Sequence, residues 1–94
     1  MKTDTKQTYT DEMGVLYEAI SRLSTKEDCR AFFEDICSVK ELHAMAQRLQ
    51  VAAMLNEGKS FNSISEETGA STATISRVSR CLSNGSGGYK KVLD

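Results

Sequence analysis

The sequence contains no proline and no tryptophan, and its only histidine is His43. Because proline is the residue that most strongly interrupts a helix, its absence permits long helices with few breaks. One histidine and no recognisable pair of catalytic carboxylates leave no constellation for acid–base or nucleophilic chemistry. We therefore expect neither enzymatic activity nor a cofactor.

Cysteines are few and widely spaced. Cys29, Cys37 and Cys81 form no Cys-x-x-Cys pair, and their odd number argues against a disulfide framework. Reduced thiols are typical of an intracellular protein, so a cytoplasmic location is expected. Cys37 and His43 alone are too few ligands for a metal site. No apolar run approaches the ~20 residues of a membrane span, so no membrane association is expected.

Charge is nearly balanced overall but unevenly distributed. The net charge of −1 is unlike that of a strong nucleic-acid binder. From Asp11 to Glu41, however, eight acids face four bases, whereas from Ser71 onward four bases face one acid. The C-terminal part is therefore the more suitable surface for a polyanion.

The most informative stretch runs from Phe61 to Leu82, FNSISEETGASTATISRVSRCL. Ile64 precedes a predicted tight turn at Gly69–Ala70, and Gly69 suits a bend because glycine adopts positive φ without strain. Apolar residues then recur on one helix face, at Ile75, Val78 and Leu82. Helix, turn and helix in this order predict a helix-turn-helix over residues 61–82, which offers its second helix to the major groove of DNA.

The opposite face of that second helix carries small, polar and basic side chains, which suit base edges and phosphates. These are Ala73, Ser76, Arg77 and Arg80. The alternative is an ordinary helical hairpin with a solvated face.

Capping residues divide the rest of the chain into further helices. Residues 1–10 are expected to form a mobile arm that ends at an N-cap, Thr10, before a helix up to about Ser24. Thr25 is expected to cap a second helix, and the Ser38-x-x-Glu41 capping box a third that stops near Gly58. The remaining predicted boundaries are Ser60 as cap of the first motif helix, Ser71 or Thr72 as cap of the second, a break over 84–88 and a short helix from Tyr89 to Asp94.

The sequence thus predicts an all-α fold of five to six helices, forming a single helical domain over residues 11–94. A chain this short buries only about two-thirds of its unfolded surface. The predicted third helix is apolar around much of its girth and the connections are short. Both features favour an interlocked homodimer.

Two segments carry a family resemblance: MAQRLQVAAMLNEG, from Met45 to Gly58, and GASTATISRVSRCL, from Gly69 to Leu82. They resemble the Trp repressor family and, more narrowly, the YerC/YecD group of Trp-repressor-related proteins. The resemblance implies an intertwined homodimer with six helices per chain.

By position, the resemblance also implies site residues. Arg48 and Arg77 match the arginines that hold the family's tryptophan corepressor, and Ser38 matches a hydroxyl residue supplied by the second subunit. Two positions depart from the family: Val78 replaces a glycine beside the ligand ring, and Cys81 replaces a serine that meets the ligand's amino group. These five residues are the candidate effector site, for an effector of unspecified identity.

The same comparison predicts the DNA-contacting residues. The groove-facing region matches Thr72, Ala73, Thr74 and Ser76, to which the outward face adds Arg77 and Arg80. Asn62 and Ser65 stand where the family uses basic residues to reach DNA, which implies fewer ionic contacts.

The leading hypothesis is a sequence-specific DNA-binding transcriptional regulator, a repressor that occupies a two-fold-related operator and does not respond to tryptophan. The alternative is a helical protein–protein interaction module with little DNA affinity, and salt-dependent binding to duplex DNA discriminates the two. Arg77 also keeps two roles open, a DNA or ligand contact or an ion pair with the acidic part of the chain.

Overall fold

The computed structural model describes the backbone of residues 5–93 and the side chains of residues 11–93. The described residues form six α-helices and no strand, which confirms the predicted all-α fold. The helices are α1 (Thr5–Ser21), α2 (Lys26–Ile36), α3 (Val39–Asn56), α4 (Phe61–Thr68), α5 (Thr72–Asn84) and α6 (Gly88–Leu93). They group into two compact units, Met1–Ser38 and Val39–Asp94. The single domain over residues 11–94 stays a prediction.

In the first unit, α1 begins at Thr5 and ends at Ser21. The predicted N-cap at Thr10 is therefore wrong, as is the predicted end near Ser24. Neither proline nor glycine interrupts residues 5–10, and the segment includes Lys6 and Gln7, both good helix formers. The mobile arm over residues 1–10 stays a prediction, and residues 1–4 lie outside the described residues.

The second helix begins where the sequence predicted. The Thr25 side chain accepts a hydrogen bond from the backbone N–H of Asp28 at 3.0 Å. Phe32 and Phe33 pack edge to face, with ring centroids 5.4 Å apart, but both are only half-buried. Among residues 11–38 no described side chain is buried.

The third helix ends in a Schellman motif at Gly58. The Lys59 N–H donates to the Met54 carbonyl at 3.1 Å and the Gly58 N–H to the Leu55 carbonyl at 3.0 Å, with Gly58 at φ 85°. Glycine takes this left-handed conformation without steric cost, which explains why the helix stops at the predicted place.

Among the described side chains, all buried ones lie in the second unit. There α3 packs against α4, α5 and α6, and α5 also packs against α4 and α6. Half-buried Tyr89 and Leu93 of α6 cover one side of the core. The core consists of Val51, Ala52, Met54, Ile64, Ala70, Ile75 and Val78.

The C-terminal connection is shorter than the predicted break over 84–88. Asn84 is the last residue of α5, and Gly85 closes the helix by donating its N–H to the Cys81 carbonyl at 2.9 Å. The predicted short terminal helix is present, and it starts at Gly88, one residue before the predicted start at Tyr89. Within residues 5–93, no helix is long and apolar enough to cross a membrane.

Candidate nucleic-acid interface

The turn between α4 and α5 depends on Gly69. Its φ is 75°, in the left-handed region, and its N–H donates to the Ser65 carbonyl at 2.9 Å. A Cβ added to Gly69 would meet no atom within 4 Å, so there is space for a side chain. The positive φ would nevertheless strain any residue other than glycine. The turn predicted from the sequence is confirmed, with glycine at the residue that needs it.

Hydroxyl groups stabilise the turn from inside. The Thr68 hydroxyl donates to the Ile64 carbonyl at 2.7 Å and accepts from the Ala70 N–H at 3.1 Å. The Ser65 hydroxyl donates to the Ala70 carbonyl at 3.1 Å. The resemblance implies a basic residue at position 65 in the family, whereas Ser65 donates a hydrogen bond to the turn of its own chain.

A residue of α3 also contacts the turn. The Gln47 amide nitrogen, Nε2, donates to the Thr68 carbonyl at 3.1 Å, between residues 21 apart in the chain. Sequence reasoning missed this bond because no local pattern indicates a partner at such separation. The hydroxyl and the carbonyl of Thr68 therefore both form hydrogen bonds.

The second helix of the predicted helix-turn-helix, α5, begins with an N-cap at Ser71. The Ser71 hydroxyl accepts from the Thr74 N–H at 3.1 Å and donates to the Thr74 hydroxyl at 3.2 Å. Of the two caps considered, Ser71 rather than Thr72 is correct. The first turn of a helix leaves N–H groups without intrahelical acceptors and carries the positive end of the macrodipole. An anionic phosphate is favoured there.

One face of α5 is fixed by the core. Ile75 and Val78 are each 1% exposed and half-buried Leu82 packs against the same cluster, as the apolar spacing predicted. The face turned to solvent therefore follows from packing. Of the predicted DNA-contacting residues, Thr72, Ala73, Arg77 and Arg80 are exposed, whereas Thr74 and Ser76 are half-buried.

The two arginines of α5 have no ion-pair partner within residues 39–93. Two ion pairs lie in the described part of the first unit, Arg22–Glu18 at 3.8 Å and Arg30–Glu34 at 3.3 Å. Arg77 and Arg80 line a cleft of about 380 Å³ with Cys81, Asn84 and Gly85. Both arginines are exposed to solvent, so their positive charge is available to an external anion.

The candidate effector residues are placed less uniformly. Arg48 is half-buried on α3, and Arg77 and Cys81 are exposed on α5. Val78 belongs to the core, at 1% exposure. Ser38 closes the first unit, the other four lie in the second, and the set stays a prediction. The described side chains form no group of three or more His, Cys, Asp or Glu residues that could hold a metal ion.

A three-helix core that presents a capped, partly basic second helix after a glycine turn defines a helix-turn-helix protein. Residues 11–94 match the family model described as Trp repressor protein. The chain belongs to the Trp repressor family, a family of regulators.

Individual relatives agree with this assignment. The chain is 49% identical over 83 residues to the uncharacterized protein YerC of Bacillus subtilis (strain 168), covering 88% of this chain and 80% of YerC. It is also similar to the crystal structure of a proposed Trp repressor from Staphylococcus aureus, with a TM-score of 0.85, 41% identity and coverage of 99% and 93% of the two chains. A TrpR-like protein from Eubacterium eligens ATCC 27750 gives a TM-score of 0.84, 42% identity and coverage of 94% and 91%. The resemblance to the Trp repressor family and its YerC group is confirmed.

The turn generates a stability prediction. We expect Gly69→Ala to lower the free energy of unfolding by about 1–2 kcal/mol, because alanine must adopt a left-handed backbone there. Thermal and urea unfolding followed by circular dichroism measure the change. Gly14→Ala is the control, since Gly14 lies within α1 with nothing near its Cβ and alanine should raise stability by about 0.5–1 kcal/mol. Equal effects at the two glycines would contradict the left-handed requirement.

Proposed function

We propose that this chain is a sequence-specific DNA-binding transcriptional regulator, a repressor that occupies a two-fold-related operator as a homodimer. The supporting observation is the orientation of α5. Core packing of Ile75 and Val78 leaves Thr72, Ala73, Arg77 and Arg80 on the solvent side. Membership of the Trp repressor family supports a regulator of this type.

The chemistry of the exposed face suits duplex DNA. The methyl groups of Ala73 and Thr72 can contact a thymine methyl, and an arginine can bind guanine or a phosphate. Thr74 is less suited to base readout, because its hydroxyl and N–H both bind Ser71. We therefore assign Thr72, Ala73, Arg77 and Arg80 to direct contact, with Ser76 at the edge and Thr74 supporting the helix start.

Charge agrees with specific rather than indiscriminate binding. Residues 39–94 contain seven Lys and Arg against five Asp and Glu, and Glu66 and Glu67 are exposed on α4. Few phosphate contacts mean a shallow dependence of affinity on salt. Selection from a random duplex pool, followed by titration across a salt series, tests the function. Binding no duplex above background would favour a protein–protein interaction module instead.

A homodimer is part of the proposal because one chain leaves large apolar side chains in solvent. Val15 is 71% exposed, Tyr17 63%, Ile36 53% and Val39 71%. A second copy that covers these side chains would supply the core that the first unit lacks. We also propose a cytoplasmic location, where DNA is accessible and free Cys29, Cys37 and Cys81 stay reduced.

Assembly gives the first test of this proposal. Light scattering should report about twice the chain mass of 10.4 kDa at every measurable concentration, because folding and association are linked in such dimers. The midpoint of unfolding, followed by circular dichroism, should therefore rise with protein concentration. A folded monomer that is stable at micromolar concentration would show that the exposed apolar residues need no second copy.

Arg80 gives the second test. We expect Arg80→Ala to weaken binding of the selected duplex by ~1–3 kcal/mol, because the side chain is exposed on the reading face without an ion-pair partner in residues 39–93. Fluorescence anisotropy across a salt series measures it. Arg22→Ala makes the same change in net charge and breaks only an exposed pair with Glu18, so it should have little effect. Equal affinities for Arg80→Ala and the parent would remove Arg80 from the interface.

Tryptophan independence gives the third test. Val78 stands where the family keeps a glycine beside its corepressor ring, and its β-branched side chain is stiff on a helix. A ring forced against it should lose ~1–3 kcal/mol, and the Cys81 thiol is a weaker hydrogen-bonding partner than the family's serine. We therefore expect DNA binding without ligand and no saturable heat when millimolar L-tryptophan is titrated into the protein.

Two variants isolate the steric cause. Val78→Gly should gain tryptophan binding, whereas Val78→Ala loses a similar part of the core but keeps a Cβ and should gain less. A micromolar Kd for tryptophan in the parent, with tighter DNA binding, would show the expectation to be wrong.

A further inference from the structure

We infer that Gln47 is a positioning residue that fixes the reading pose of the helix-turn-helix by binding the last carbonyl of α4. This role rests on the proposed DNA-binding function, since the pose matters only if α5 reads a duplex. Gln47 itself lies on α3 and is half-buried, and it is not among the residues of α5 that we assign to DNA contact.

The bond supplies what the end of α4 lacks. The last four carbonyls of a helix have no intrahelical donor. The Gln47 amide nitrogen, Nε2, donates to the Thr68 carbonyl at 3.1 Å, in a part-buried setting, and Thr68 is the last residue of α4. The donor comes from α3, which contributes three of the seven core residues, so the bond connects the end of α4 to the helix that packs against it.

Thr68 transmits this restraint to the start of α5. Its hydroxyl accepts from the Ala70 N–H, and Ala70 is in turn bound through its carbonyl by Ser65. The next residue is Ser71, the N-cap of α5. Movement of the Thr68 carbonyl would therefore displace the turn and, with it, the cap three residues after Thr68.

Apolar packing alone does not give this restraint. Burial is non-directional and scales with area, so the contacts of Ile75 and Val78 resist separation more than a small slide along α3. A hydrogen bond has defined length and angle. We assign the rotation of α5 to the apolar core, and the placement of the turn relative to α3 to Gln47.

Gln47→Leu removes the donor while keeping a side chain of similar reach, and Gln47→Glu keeps the shape but turns an acceptor toward the Thr68 carbonyl. Gln50→Leu is the matched control, because Gln50 is an exposed glutamine on the same helix. Amide hydrogen exchange is measured first, on the full-length protein without DNA. We expect the Ala70 amide to exchange about three- to tenfold faster in both Gln47 variants, with Val51 in the core unchanged.

DNA binding is measured second, against the selected duplex and an unrelated duplex. Both Gln47 variants should lose about three- to tenfold in affinity for the selected duplex and keep the parent's affinity for the unrelated one. A purely structural role would speed exchange at Ala70 and Val51 alike, or weaken both duplexes equally, and either result overturns the inference. So does faster exchange at Ala70 with unchanged affinity for the selected duplex. A parent protein without preference for any duplex would instead refute the proposed function, and the exchange comparison would still show whether Gln47 places the turn.

Discussion

The surface that α5 shows to solvent depends on the packing of Ile75 and Val78 against α3. Each residue of a helix turns its side chain by ~100° from the one before, so a rotation of α5 by one position would move Arg77 toward the core. Both core side chains are β-branched and have few rotamers on a helix, so they fit one orientation well. The polar face is consequently set by apolar residues that never touch a ligand.

Burial is divided unequally between the two units, and this difference bears on the proposed homodimer. Of the side chains described over residues 11–93, the buried ones all belong to residues 39–93, where α3 contributes Val51, Ala52 and Met54. The described side chains of the first unit are held by helix caps, an aromatic pair and exposed ion pairs, each of which contributes little alone. The exposed apolar side chains, such as Val15, Tyr17 and Ile36, stabilise a fold only when another surface covers them. The proposed homodimer would complete a core that one chain provides on one side.

Features that are local in sequence were predictable, and those that are distant were not. Thr25, Ser60 and Ser71 cap their helices through a hydroxyl and an N–H three residues later, a relation visible in the sequence. Glycine at 58 and 69 likewise marks positive φ. The bond from Gln47 to Thr68 joins residues 21 apart, and no periodicity or cap indicates it. The start of α1 was wrongly predicted because Thr10 has the side chain of a good N-cap, whereas the helix continues through it from Thr5.

The position of Val78 connects core packing with regulation. A corepressor-dependent protein leaves space for a ligand between its helices. Part of the ligand's binding free energy then shifts the conformational equilibrium toward the DNA-binding pose. The resemblance implies that Val78 replaces the family's glycine. Val78 is buried in the core, to which α3, the helix that also carries Gln47, contributes. Intrachain contacts can then hold the pose that a ligand would otherwise select. The population able to bind DNA would depend on folding and assembly, and control of the regulator would pass from a small molecule to the amount of protein present.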